Sequence, residues 1–221
     1  MKGAMGNCYA QLGQLDKASS MLLKAADEAD NNTLSPIYLK QAGEILVKQG
    51  KYDDAIKFYD MAIQKGYKTD DAYVGKAMSL RSQDKAADFT ATVEAGLKAN
   101  AQNANLEKLL YAYCMKKGQA AQKAGKTEEA EELFKDVLVV GNAKYKGNAL
   151  YSLGVMFYNA GAKILADANP IATSDPDKYA AEKKKADAQM AKAKGYLEQA
   201  IALNAADANS KKILDAINAA K

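Results

Sequence analysis

The chain has 221 residues, is 48% hydrophobic and carries 31 Lys and Arg against 27 Asp and Glu, a net charge of +4. It contains no histidine, which excludes Ser-His-Asp and Cys-His catalysis, histidine general bases and most transition-metal sites. It has no run of about 18 apolar residues, so no membrane-spanning helix is expected, and so small a net charge argues for neither a nucleic-acid nor an anionic-membrane partner.

Only 3 prolines and no tryptophan are present, while alanine and lysine are abundant, which favours helices over strands. The two cysteines, Cys8 and Cys114, are far apart and form no CxxC pair. Both fall inside helical patterns and are expected to be buried free thiols. No charged-then-apolar leader opens the chain.

Taken in order, the elements repeat. Gly6, Gly43, Ala77, Gly118 and Gly154 are spaced by 37, 34, 41 and 36 residues. Seven residues after each stand Gly13, Gly50, Asp84, Gly125 and Gly161. Then follow Ala18, Ala55, Phe89 and Ala130, and the large Leu22, Tyr59, Val93 and Phe134. Small residues let two helices approach, and large ones fill the adjoining holes. A turn glycine ends the first helix because it adopts the left-handed conformation cheaply. One pair cannot bury both of its faces, so copies stack.

Approximate copies cover 1–32, 36–69, 70–103, 105–142 and 145–205, with a closing helix over 206–221. In the fourth, the first helix is expected from about Asn105 to Ala124, the added residues amounting to two turns. In the fifth, an extension over 162–190 separates the two helices. Its first helix runs past Gly161 to about Ala168, where Asn169-Pro170 stops it. Ser174 or Asp175 caps a long helix from about Asp177 to Leu203. The last helix places Ile213, Leu214 and Ile217 on one face.

The second copy, "SPIYLKQAGEILVKQGKYDDAIKFYDMAIQKG", carries Leu39, Ala42, Gly43, Leu46, Gly50, Tyr52, Ala55, Tyr59 and Ala62 at the spacings of a known unit. With the first and fourth copies it resembles the tetratricopeptide repeat, a unit of 34 residues. The resemblance spans almost the whole chain. The third copy departs from it at Asp84 and Phe89, and the family's closing proline is replaced by residues such as Ala101 and Ala205. It implies an all-α right-handed superhelical solenoid of antiparallel helix pairs with a C-terminal capping helix. The extended last copy is similar to repeat proteins of bacterial envelope and secreted chains, which implies an extracytoplasmic address only if a leader precedes Met1. Counted back from Gly6, the first copy would begin about two residues before Met1, so its first helix is expected to leave an uncapped apolar edge.

The resemblance implies a non-catalytic scaffold that holds a partner's peptide or helix in a concave groove lined by first helices. Carried over by repeat position, the groove residues are Asn7 and Gln11, then Lys40, Glu44 and Lys48, then Met78 and Arg81, then Gln119 and Lys123, and finally Asn148, Tyr151, Val155 and Tyr158. A carboxylate clamp known in one subgroup is not expected: Asn7 fits, but Gly3, Gln41, Asp71 and Gly75 occupy its other positions. The competing function is self-association through the open N-terminal edge or the inserted hairpin, giving a homo-oligomer. RNA reading by a pentatricopeptide-like array is disfavoured by the variable spacing. No cofactor or metal is implied. Glu128, Glu129, Glu131 and Glu132 read as a solvated face, and Lys178 to Lys194 as an exposed helix face.

Overall fold

The computed structural model describes residues 1–219, so the last two residues expected in the closing helix lie outside the described residues. Two compact units divide the chain, 1–108 and 109–221. The first holds α1 (Lys2–Gln11), α2 (Leu15–Ala29), α3 (Leu34–Lys48), α4 (Tyr52–Lys65), α5 (Asp70–Ser82) and α6 (Ala86–Ala99). The division falls within α7 (Ala104–Lys123). The second unit continues with α8 (Thr127–Asp136), a 3-10 turn at Val137–Val139, α9 (Ala143–Ala168), a second 3-10 turn at Asn169–Ile171, α10 (Pro176–Leu203) and α11 (Ala208–Ala219). Within each unit the elements are all helical, the expected fold class.

In the first unit every helix packs on its successor, and the first helices of neighbouring pairs, α3 and α5, touch directly. The small-to-large register explains this. A side chain grown from Gly43 would stand 2.9 Å from Tyr59 Cε1, and one grown from Gly6 would stand 2.7 Å from Leu22 Cγ. Tyr59 and Leu22 are buried, so each glycine is the hole that a large side chain of the following helix fills. In the second unit Gly118 meets Phe134 and Gly154 meets Leu197 in the same way. Phe89, standing where the family places alanine, is fully buried.

The turns follow the backbone requirement. Gly50 has φ +73° with open space around its α-carbon, and Asp84, which replaces the expected glycine, adopts φ +56°. Gly161 does not turn the chain: α9 continues through it to Ala168. A side chain there would meet the Ala186 carbonyl oxygen at 3.1 Å, so its smallness serves the approach of α10. Asp175 caps α10, accepting a hydrogen bond from the Lys178 amide at 3.1 Å.

One expectation is corrected. Cys114 is buried, but Cys8 is exposed. Its place on α1 lies on the side away from Gly3 and Gly6, the buried residues of that helix.

Candidate functional site

Each unit carries its own share of the first-helix residues. In the first unit, Asn7 and Gln11 are exposed on α1, Glu44 and Lys48 on α3, and Met78 and Arg81 on α5. Lys40 of α3 is half-buried. Its Nζ lies 2.9 Å from Asp71 Oδ2 on α5 and 3.6 Å from Glu44 Oε1. Burial is the largest single influence and pulls the Lys40 pKa down, but hydrogen bonding and attraction from Asp71 and Glu44 together outweigh it and hold the value above the ordinary lysine range. Asp71, where the clamp-bearing subgroup has a lysine, thus neutralises the cation beside it. The unit's first-helix face is internally compensated at this point.

In the second unit, Gln119 and Lys123 are exposed on α7 and Asn148 is exposed on α9. Tyr151, Val155 and Tyr158 are half-buried along α9. Asn148 Nδ2 donates to the Tyr111 hydroxyl at 2.8 Å. The Tyr111 ring stacks on Tyr145, with centroids 4.3 Å apart and planes 13° from parallel. Tyr111 and Tyr145 were not among the sequence-derived residues, yet they join Asn148 in one cluster across α7 and α9. Tyr145 was within reach of a helical wheel, being three residues before Asn148. Tyr111 was not, because its partners Tyr145 and Asn148 stand 34 and 37 residues away on another helix, where the spacing within one helix carries no information.

Tyr158 belongs to different surroundings. It lines a cavity of 840 Å³ formed by α9, α10 and α11, with Leu165, Tyr179, Met190 and Ile217 among its apolar walls. The lysine-rich stretch supplies its charged side: Lys183 pairs with Asp187 at 3.3 Å and Lys194 with Glu198 at 3.7 Å. A second cavity of 470 Å³, in the first unit, is bordered by the Lys76–Asp60 pair at 2.7 Å and the Lys85–Asp53 pair at 3.0 Å.

Among the described residues, no group of three or more Cys, Asp or Glu side chains is arranged to hold a metal ion. No helix there is long and apolar enough to cross a membrane. Cys114 is a buried thiol whose pKa is pushed up to about 12, chiefly by burial, with Asp136 adding repulsion.

Family models for the tetratricopeptide repeat match residues 1–32 and 39–72, and a PPR repeat model matches residues 120–141. The fold is similar to the crystal structure of a TPR repeats protein from Bacteroides fragilis, with 36% identity, TM-score 0.89, and coverage of 100% of this chain and 97% of that one. A tetratricopeptide repeat protein from Parabacteroides merdae matches with 16% identity and TM-score 0.47, covering 98% and 97% of the two chains. YrrB, described as a TPR protein with an unusual peptide-binding site, matches with 15% identity and TM-score 0.43, covering 96% and 89%. No curated protein matches the chain.

Proposed function

Because the chain belongs to the tetratricopeptide repeat family, a family of protein-interaction scaffolds, we propose that it holds a peptide or helix of a partner protein against its first helices, without catalysis. The observation that supports this reading most is the aromatic cluster of the second unit. Tyr111 and Tyr145 are half-buried on α7 and α9, and the stack and the Asn148 hydrogen bond hold them in place before any ligand arrives. Tyr151 is half-buried further along α9. Tyrosine buries a large area at small rotamer cost and is enriched at interface hot spots. The first-unit residues contribute less to affinity in this reading, because the Lys40 charge is already compensated by Asp71 and Glu44. Their role is orientation and rejection of wrong partners.

The test is selection from a displayed peptide library on the immobilised chain, followed by fluorescence anisotropy with the selected peptides. The expected result is a loss of at least tenfold in affinity in Tyr151→Ala, about 1.4 kcal/mol, and a smaller loss in Lys40→Ala. Peptides that bind both variants as they bind the wild type remove the reading.

A second reading, self-association, is favoured by a specific observation. Met1, Met5, Cys8 and Leu12 all lie exposed on α1 and its two caps, and exposed apolar surface of this kind marks interaction sites.

A further inference from the structure

The helix α1 is apolar on two sides. Gly3 and Gly6 are buried, and Tyr9 and Ala10 pack on the cluster of Ala18, Leu22, Ala42 and Ile45. On the other side, Met1, Met5, Cys8 and Leu12 follow the spacing i, i+4, i+7, i+11, which gathers them within about 60° of arc. Leu12 is 70% exposed and Met5 40%. The flanks are Ala4 and Gln11 on one side and Lys2 and Tyr9 on the other, and Lys2 is already paired with Glu28. The side chains of the stripe therefore carry no charge, and the one charged side chain flanking it is paired.

The cavity of the second unit offers a matching seat. From α9 it is lined by Tyr158, Ala162, Leu165 and Ala166, and from the start of the following 3-10 turn by Asn169. Tyr158, Ala162, Leu165 and Asn169 repeat the same i, i+4, i+7, i+11 spacing. From α10 it is lined by Met190 and by the Lys183–Asp187 and Lys194–Glu198 pairs. Two cations and two anions leave that wall without net charge. A strongly anionic occupant, whether a nucleic acid or an acidic tail, gains nothing there, whereas an uncharged apolar stripe does. Length agrees as well. With 12 residues, α11 is about 18 Å long against about 39 Å for α9 and about 42 Å for α10. It leaves more of that face uncovered than the roughly 15 Å that a ten-residue helix such as α1 requires.

We propose that α1 of one copy docks through Met1, Met5, Cys8 and Leu12 into the α9–α10–α11 cavity of a second copy. This inference rests on the self-association reading and names its two faces. The contact is heterologous, the first unit of one copy meeting the second unit of the next, so it extends unless rotation closes it into a ring. One helix in one cavity buries less than a standard interface, about 1,600 Å² in total, so the association is of the weak, concentration-dependent class.

The experiment is sedimentation velocity on the full chain from about 5 to about 500 µM, the range of weak association. Wild type, Met5→Glu, Ala166→Glu and an equimolar mixture of the two variants are compared, with circular dichroism confirming unchanged helicity. Both substituted side chains are exposed. The expected wild-type mass rises above 23.7 kDa with concentration, and each variant alone associates at least tenfold more weakly. The mixture forms a two-chain complex and stops, because Met5→Glu keeps its cavity and Ala166→Glu keeps its stripe. Wild-type chain that stays monomeric overturns both this inference and self-association. Association lost in Met5→Glu but kept in Ala166→Glu, or a mixture that gains no two-chain complex, overturns the docking site alone: the stripe then pairs elsewhere on the second copy.

Discussion

Lys51 Nζ lies 2.9 Å from Asp16 Oδ1, and one repeat later Lys85 Nζ lies 3.0 Å from Asp53 Oδ1. In both places a carboxylate at the start of a pair's second helix reaches the turn of the following pair. Gln49 Nε2 joins the first contact at 3.0 Å. The arrangement recurs because the repeat recurs, and it ties successive pairs of the first unit together at their turns.

That relationship gives stability a sign with pH. Asp16 is held below the usual carboxylate range by hydrogen bonds from Lys51 and Gln49, and Asp53 by hydrogen bonds involving Gln83 and Lys85. A depressed folded-state pKa contributes stability above the unfolded value of about 3.9 and loses it as pH falls through the folded value. Both carboxylates are exposed, so the contribution is small and screened by salt. Thermal melts from neutral pH down to about pH 2.5, followed by circular dichroism, should show Tm falling below about pH 4. The Asp16→Asn, Asp53→Asn double variant should show a shallower fall, and an unchanged slope would refute the assignment.

Two glycines separate space from backbone. A Cβ at Gly43 meets Tyr59 at 2.9 Å, while one at Gly50 meets nothing within 4 Å but sits at φ +73°. Gly43→Ala should cost about 1–3 kcal/mol through overpacking. Gly50→Ala should cost about 1 kcal/mol through the left-handed conformation alone. Urea unfolding of each in a Tyr59→Leu background distinguishes the mechanisms, with Tyr59→Phe, which keeps the Cε1, Cζ and Cδ1 atoms facing Gly43, as the control that gives no relief. A smaller residue at 59 should offset part of the Gly43→Ala cost and none of the Gly50→Ala cost.

The tyrosine stack should be measurable without any ligand. A double-mutant cycle on Tyr111→Ala and Tyr145→Ala is expected to return a coupling of about 0.5–1.5 kcal/mol in chemical unfolding. A coupling near zero would mean that the pair is not held together in solution, and the aromatic face would lose its advantage as a prearranged docking surface.

The two thiols should differ sharply in reactivity, because the thiolate is the reacting form. Cys8 is exposed, and Cys114 is buried with its pKa raised to about 12. Titration with a chromogenic disulfide at about pH 8 should therefore modify one thiol per native chain and two after denaturation. Two equivalents in the native chain would contradict the burial of Cys114.

The sequence by itself determined the local and periodic features. Gly43 and Tyr59, or Gly118 and Phe134, belong to adjacent helices of one pair, so their register follows from short-range spacing and a single turn. The run of α9 through Gly161 and its end ahead of Pro170 were legible for the same reason, and the cap of α10 was narrowed to Ser174 or Asp175, of which the structure selects Asp175. Contacts between pairs were decided by the tertiary structure. The exposure of Cys8 depends on which side of α1 the core takes, and an α1 apolar on both sides gives periodicity no preference. The compensation of Lys40 by Asp71 and the stacking of Tyr111 on Tyr145 join residues 31 and 34 positions apart. The cavity of α9, α10 and α11 exists because a short closing helix meets two long ones. No spacing rule encodes such distances, since they arise only when the helices pack.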